Sequence, residues 1–203
     1  MSKPVIAVDV DDVLADSAAA FVEFSNQRWG TNLTVDDYQD HWGDMWQLDQ
    51  DATEARAQVW RTAGIIRQYA HKESAADVLQ RLQPNYRLII TTARPKIMET
   101  DTLAWLDKHY HGLFEDVHFA NFFGANDYLA YHRTKGDMYR QLRASYVIDD
   151  QLKHCLSAAE IGLGAVVFGD YAWNRTDQPT PGVVRCLNWP AVQAYFERLK
   201  VSA

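Results

Sequence analysis

Four aspartates, Asp9, Asp11, Asp12 and Asp16, crowd into the eight residues "DVDDVLAD" directly behind the apolar run "PVIAV". Carboxylates repel one another and cost free energy to desolvate, so this crowding at the end of a buried run calls for a counter-charge. Further polar groups stand in comparable places. Thr91, Thr92 and Arg94 follow the apolar "RLII", and Asp149 and Asp150 follow "YVI". Lys135 opens the helical stretch that leads into "YVI". Carboxylates from separate segments can coexist when they share a hard divalent cation. Mg²⁺ takes oxygen ligands in an octahedron, keeps some of its waters, and is often completed by a substrate phosphate. A lysine stabilises phosphate as a point charge, and a threonine hydroxyl can donate a hydrogen bond to it. The residue types therefore point to phosphoryl chemistry around magnesium.

Such a site needs a fold that gathers distant residues. "PVIAV" (4–8) is short and β-branched, which suits a strand buried on both faces. Behind it, Ala18, Phe21, Val22 and Trp29 fall at helical spacing, with Ser17 to cap the start and Gly30 to end the helix. Residues 31 to 75 read as helical and irregular, with Thr34 as a second cap and no strand. Then the pattern alternates. "ESAADVLQRLQ" is a helix stopped by Pro84 and "YRLIIT" a strand; "METDTLAWLDKHY" is a helix and "DVHFAN" a strand. "KGDMYRQLRA" is a helix, "YVID" a strand, "DQLKHCLSAAEIG" a helix, "GAVVFG" a strand and "WPAVQAYFERLK" a closing helix. Alternation of this kind predicts an α/β, Rossmann-like, mostly parallel sheet with helices on both faces. Ligands then bind at the carboxyl ends of the strands, where the polar residues fall. The expected division is a catalytic core of residues 1–16 and 76–203 with a small all-helical cap, 17–75, inserted after the first strand.

The bulk numbers narrow the function. A chain of 203 residues with 47% apolar and 23% charged residues is globular. Its net charge of -7 argues against a nucleic-acid polymer or a membrane surface as partner, since both want a basic face. A small anionic substrate remains compatible if positive charge is supplied locally. The two cysteines, Cys155 and Cys186, form no CxxC, which favours a reducing compartment. Asp9 interrupts the first apolar run too early for a signal peptide, and no stretch reaches membrane-spanning length. A cytoplasmic location is expected. His109 and His111 are two apart on a predicted helix and face different directions. His41, His71, His118, His132 and His154 are scattered, so the histidines are read as non-ligands.

The order of these groups resembles the haloacid dehalogenase-like (HAD) phosphohydrolase superfamily. Its pattern is DxDx[TV], a hydroxyl residue after the next strand, a lysine, then an acidic pair after a further strand. The matching segments are "DVDDV" (9–13), "TTARP" (91–95), Lys135 in "RTKGD" and "IDD" (148–150). Within the superfamily the chain is most similar to the 5'(3')-deoxyribonucleotidase, or C-type 5'-nucleotidase, group and its bacterial relatives. The similarity lies in a helical insertion straight after the first motif, "KGD" shortly before "IDD", and a late "YAWN" followed by "CLNWPAV". It departs from that group in having Asp12 where glycine is common, and "DDQLKH" where "DDRP" is common.

The resemblance implies roles. Asp9 is the nucleophile that forms an aspartyl-phosphate; Asp11 is first general acid, then general base. Mg²⁺ is held by the Asp9 carboxylate, the Asp11 backbone carbonyl and Asp150, with Asp149 acting through water or as a support. Thr92 and the Ala93 amide bind phosphate together with Lys135, Thr91 stands in reserve, and Arg94 touches phosphate or substrate. Dehalogenase members lack the second aspartate, so Asp11 favours phosphoryl transfer to water. The cap closes over the substrate, and Tyr38, Trp29, Trp42, Trp46 and Trp60 either stack on a base or form the cap's core. Asp12 and Asp16 read as helix caps or solvated turn residues. The expected activity is Mg²⁺-dependent hydrolysis of nucleoside 5'-monophosphates; the alternative substrate is a sugar phosphate or other small phosphoester. A receiver-like phospho-switch fits less well, because receivers place the acidic pair after the first strand. A catalytically silent binding protein has no support in a chain that keeps every required group.

Overall fold

The computed structural model describes residues 2–39, 41–119, 135–178 and 180–201. Among these lie six strands: β1 (Val5–Val8), β2 (Arg87–Thr92), β3 (Asp116–Phe119), β4 (Ala144–Asp149), β5 (Gly164–Phe168) and β6 (Val183–Cys186). All pair in parallel, in the order β3-β2-β1-β4-β5-β6. The chain therefore builds outward from β1 to β3, then crosses back to place β4 on the other side of β1. That reversal opens a crevice at the carboxyl ends of β1 and β4, the usual ligand position in such sheets. Register brings the site together: Ala7 lies beside Ile89 and Val147, and Val8 beside Ile90 and Ile148. One residue further on, Asp9 comes level with Thr91 and Asp149.

Alternate residues of the strands feed two cores. Ile6, Val8, Leu88, Ile90 and Ile148 pack with Leu79 and Leu82 of α4 (Ala75–Leu82), Trp105 of α5 (Glu99–Tyr110), and Trp189 and Phe196 of α8 (Trp189–Val201). Val5, Ala7, Ile89, Val147, Ala165 and Val167 pack with Tyr139 of α6 (Lys135–Gln141) and with Cys155 and Ala158 of α7 (Leu152–Glu160). Both faces are covered, which is why the strands read as continuous apolar runs.

Between β1 and β2 run α1 (Ser17–Trp29), α2 (Trp42–Trp46) and α3 (Gln50–Thr62), with single-turn helices at Val35–Asp37 and Ile65–Gln68. Gly30, at φ 66°, ends α1, its N–H reaching the Asn26 carbonyl at 3.1 Å. The segment leaves and returns through adjacent stretches of backbone. The Asp16 N–H donates to the Ala70 carbonyl at 2.9 Å, and that of Lys72 to the Leu14 carbonyl at 2.7 Å. Lys72 also pairs with Asp16.

Three local expectations change. Ser17 is the first residue of α1 and not its cap; its hydroxyl oxygen accepts the Asp12 N–H at 3.1 Å. The capping carboxylate is that of Asp12, five residues upstream of the helix start, which accepts the Ala18 N–H at 3.1 Å and the Ser17 hydroxyl at 2.7 Å. Asp12 sits at φ 53°, a left-handed conformation that aspartate tolerates better than most residues. The helix expected over 135–144 stops at Gln141, because Arg143 turns the chain at φ 51° and Ala144 is already in β4. The sixth strand, "VVRC", was not anticipated: it is a four-residue edge strand with two exposed positions, too short to stand out as a pattern. Ala120 and Asn121 of the expected "DVHFAN" strand, and His132, lie outside the described residues. No described helix is long and apolar enough to cross a membrane.

Candidate active site

Lys135 is the hub of the crevice. As the first residue of α6 it points its ammonium between two strand ends, 2.6 Å from Asp149 Oδ2 and 2.9 Å from Asp9 Oδ1. It is only 2% exposed. Burial alone would discharge such a lysine, but Asp149 and Asp9 override it and raise its pKa well above the usual value. Asp149 is likewise fully buried, which would raise its pKa; Lys135 and His154 outweigh that and hold it well below the usual carboxylate range. It also receives the Gln151 N–H at 2.9 Å and the Tyr139 hydroxyl at 3.2 Å, and lies 3.2 Å from His154 Nδ1. Burial lowers the His154 pKa more than Asp149 raises it.

Asp9 and Asp150 are less well served. Lys135 lies within ion-pair distance of Asp9 but off hydrogen-bonding direction, which leaves the buried Oδ1 of Asp9 without a directed donor. Burial pushes Asp9 up to about 7, helped by repulsion from Asp149 and Asp11 and opposed by Lys135. Asp150 is raised well above its usual value by burial and by Asp149, Asp9 and Asp12. Asp9, Asp149 and Asp150 each offer an oxygen within 4.8 Å of the others. Buried oxygens gathered this closely, one of them unsatisfied, fit a hard divalent cation. With all four carboxylates ionised, Asp9, Asp11, Asp149 and Asp150 against the cations Lys135 and Arg94 leave two formal negative charges for a divalent ion to balance.

Asp11 stands at the mouth, its side chain 32% exposed. Arg94 grips it with Nη2 at 2.7 Å from Oδ1 and Nε at 3.0 Å from Oδ2. The guanidinium is pinned from behind by the Thr102 hydroxyl at 3.0 Å and lies 5.5 Å over the Tyr69 ring. In this arrangement Arg94 serves Asp11. Thr92 accepts the Arg94 N–H at 3.2 Å through its Oγ1, so its own hydroxyl proton remains to be donated. Thr91 is level with Asp9, and its hydroxyl is buried without a partner. Ala93 is half-buried in the turn between them and Arg94.

Several contacts were invisible in the sequence. Trp173 Nε1 donates to Asp150 Oδ2 at 2.6 Å, and Asn174 Nδ2 donates to the Asp150 carbonyl at 2.9 Å. Tyr139, His154, Thr102 and Tyr69 also support charged groups, and no spacing rule marks them. "YAWN" was conspicuous only as part of a resemblance.

The rings of the helical segment mostly fill one another's space. Phe21 lies 4.7 Å from Trp42 and 5.3 Å from both Trp46 and Trp60, and Trp29 lies 5.1 Å from Trp46. Tyr38 touches Phe21 at 5.4 Å and also sets its ring against Trp173 at 5.2 Å, beside Asp150.

Residues 3–196 match the model of a family described as "5' nucleotidase, deoxy (Pyrimidine), cytosolic type C protein". Among solved structures, the chain is similar to SP0104 of Streptococcus pneumoniae, a hydrolase of the haloacid dehalogenase-like family. That likeness has a TM-score of 0.67 at 18% identity over 96% of this chain and 98% of that one. A predicted phosphatase from Clostridium acetobutylicum gives 0.69 at 12% identity over 98% and 100%. YfnB of Bacillus subtilis, a HAD-hydrolase described as bound to magnesium, gives 0.62 at 14% over 97% and 100%. At these identities the likeness concerns the fold. No curated protein sequence matches the chain.

Proposed function

Because the chain belongs to the cytosolic type C 5'-nucleotidase family, phosphatase-type hydrolases of haloacid dehalogenase-like fold, we propose that it hydrolyses phosphomonoesters with Mg²⁺ through an aspartyl-phosphate, nucleoside 5'-monophosphates being its leading substrates. The observation that carries this reading is Lys135, buried between Asp9 and Asp149 with Asp150 close by, at the crevice where the sheet reverses direction.

An oxygen of Asp9 attacks the phosphorus, and the P–O bond to the leaving group breaks. The departing oxygen takes a proton from Asp11. Water then attacks the acyl phosphate and gives its proton to Asp11. The bond to Asp9 breaks, and inorganic phosphate and the free carboxylate are restored. Such proton transfers contribute about 100- to 10,000-fold. Lys135 holds Asp9 in line and neutralises phosphate charge, and Asp149 holds Lys135. Asp9, Asp150 and the Asp11 carbonyl would hold the cation, which would supply positive charge against the repulsion between an anionic nucleophile and an anionic phosphate. The Thr92 hydroxyl and the Ala93 amide bind phosphate oxygens, with Thr91 the alternative donor. Incoming phosphate competes with Asp11 for Arg94, which frees the acid for its work. Residues 17–75 form the cap, hinged where the backbone of Asp16 and Lys72 crosses between the two segments, and its closure excludes water. The family's description and two unpaired cysteines favour the cytosol.

One observation favours the second reading, a sugar phosphate or other small phosphoester. Phe21, Trp42, Trp46 and Trp60 pack on each other, which leaves fewer faces to stack on a base. The test is a panel of ribo- and deoxyribonucleoside monophosphates and sugar phosphates with Mg²⁺. Fastest phosphate release from a nucleoside 5'-monophosphate is expected. Fastest release from a sugar phosphate selects the second reading, and no release from any phosphoester sinks both.

A further inference from the structure

The "YAWN" segment (171–174) follows β5, the strand next to β4, and forms a single helical turn, Ala172–Asn174. That turn grips Asp150 twice. Asn174 Nδ2 holds the Asp150 main-chain carbonyl at 2.9 Å and, at 3.0 Å, the Phe168 carbonyl at the end of β5. Trp173 Nε1 holds the carboxylate itself, 2.6 Å from Oδ2. With the carboxylate ionised, as cation binding requires, a donor this close makes a charge-assisted bond, about twice as strong as a neutral one.

The indole is itself fixed. Tyr171 stacks on it at 4.5 Å and 4°, and the Tyr171 hydroxyl is anchored to the Asp12 carbonyl at 2.8 Å. Tyr38 meets it from the helical segment at 5.2 Å. Arg185 of β6 braces the turn through Asn174 Oδ1 at 2.7 Å and the Asn174 carbonyl at 2.6 Å. The aromatic and polar contacts of several elements thus converge on one N–H.

Resting on the proposed reading of the site, we propose that Trp173 is a positioning residue that sets Asp150 for the divalent cation. The indole is donor only, so it can orient a carboxylate without competing for the ion. Among the described residues, both side-chain donors to the Asp150 carboxylate reach the same oxygen: Gln151 Nε2, like Trp173 Nε1, donates to Oδ2, at 3.2 Å. The other oxygen is left to the ion, and the rotamer is chosen before the ion arrives. Partners of this kind, standing behind a metal ligand, are typically worth about 10- to 100-fold in metal affinity.

The test is calorimetric titration of Mg²⁺ into the metal-free 203-residue chain, wild type and Trp173→Phe, with thermal unfolding with and without Mg²⁺. Phenylalanine keeps a six-membered ring against Tyr171 and removes the donor. The Mg²⁺ Kd rises about 10- to 100-fold, and the stabilisation by Mg²⁺ shrinks more than the metal-free midpoint falls. A purely structural role lowers both midpoints alike and leaves the Kd unchanged, which overturns the inference. Should the variant not fold, the wild type decides. Of its seven tryptophans, Trp173 must shift its indole N–H resonance as Mg²⁺ is added, and no shift overturns the inference. A wild type that binds no Mg²⁺ removes the cation from the proposed function and this inference with it. A variant that binds as the wild type does removes this inference alone.

Discussion

At the carboxyl edge of the sheet the chain buries charge; in the helices between β1 and β2 it buries rings. Asp9, Asp149, Asp150 and Lys135 are each at most 5% exposed; Asp149 and Asp150 are held by directed hydrogen bonds, and Asp9 by its ion pair with Lys135. Phe21 is as deeply buried, but among Tyr38, Trp42, Trp46 and Trp60, where any well-shaped apolar group serves. Removing one partner of a buried ion pair costs about 3–5 kcal/mol. Truncating a buried phenylalanine costs about the same. The two regions are thus matched in stability and differ in what else is lost.

The sharpest way to break that comparison is Asp9→Asn. It abolishes phosphate release while the chain stays folded, since a neutral isostere relieves a carboxylate that burial already pushes up to about 7. Activity equal to wild type would remove Asp9 from the chemistry. Lys135→Met comes next. It leaves Asp9 and Asp149 buried without their cation, lowers stability by about 3–5 kcal/mol, and suppresses turnover. Denaturant unfolding and phosphate release measure the two effects. Phe21→Ala is the counterpart: a similar loss of stability, about 3–5 kcal/mol, with turnover well below the midpoint changed far less than in the lysine variant. Equal loss of turnover would mean that the rings do more than pack.

A pH series sharpens the contrast at lower amplitude. Asp9 and Asp12 have folded pKa values of about 7, above the unfolded value of 3.8. Their contribution is present below about pH 4 and is lost as pH rises through about 7. Asp150 shifts in the same direction. Asp149, shifted down, is ionised in both states above about pH 5 and adds nothing to the slope there. His154, lowered by burial, acts in the opposite sense below its usual 6.5. The metal-free chain is therefore expected to unfold at a lower temperature at pH 8 than at pH 5, with Mg²⁺ restoring stability most at pH 8. A flat or reversed profile contradicts it. The smallest effect belongs to the exposed Arg87–Glu115 pair at 2.7 Å, where Glu115→Ala costs at most about 1 kcal/mol.

The same contrast explains what the sequence could disclose. Strand ends are local signals, and charge at a strand end is conspicuous, so Asp9, Asp11, Asp149 and Asp150 stand out in the sequence, whereas Lys135 at a helix start and Thr92 beside Thr91 are singled out only by their place in the resemblance. The parallel sheet was legible from alternation for the same reason. Trp173, Tyr139, His154 and Thr102 were not, because their contacts come from packing across the chain: Trp173 and Asp150 are 23 residues apart. Asp12 shows the middle ground. Its type suggested a cap, but only its left-handed backbone shows that it caps from five residues away. The edge strand β6 was missed because its four residues carry too little pattern.

On the proposed mechanism Asp9 carries the phosphoryl group. The most direct test uses Asp11→Asn with Mg²⁺ and an aryl phosphate whose leaving group needs no acid. Without the base, breakdown of the intermediate slows. The expected result is a burst of one phenolate per chain, with mass analysis of the quenched protein placing one phosphoryl group on Asp9. A burst with the label on another side chain, or steady release with Asp9 never modified, contradicts the account.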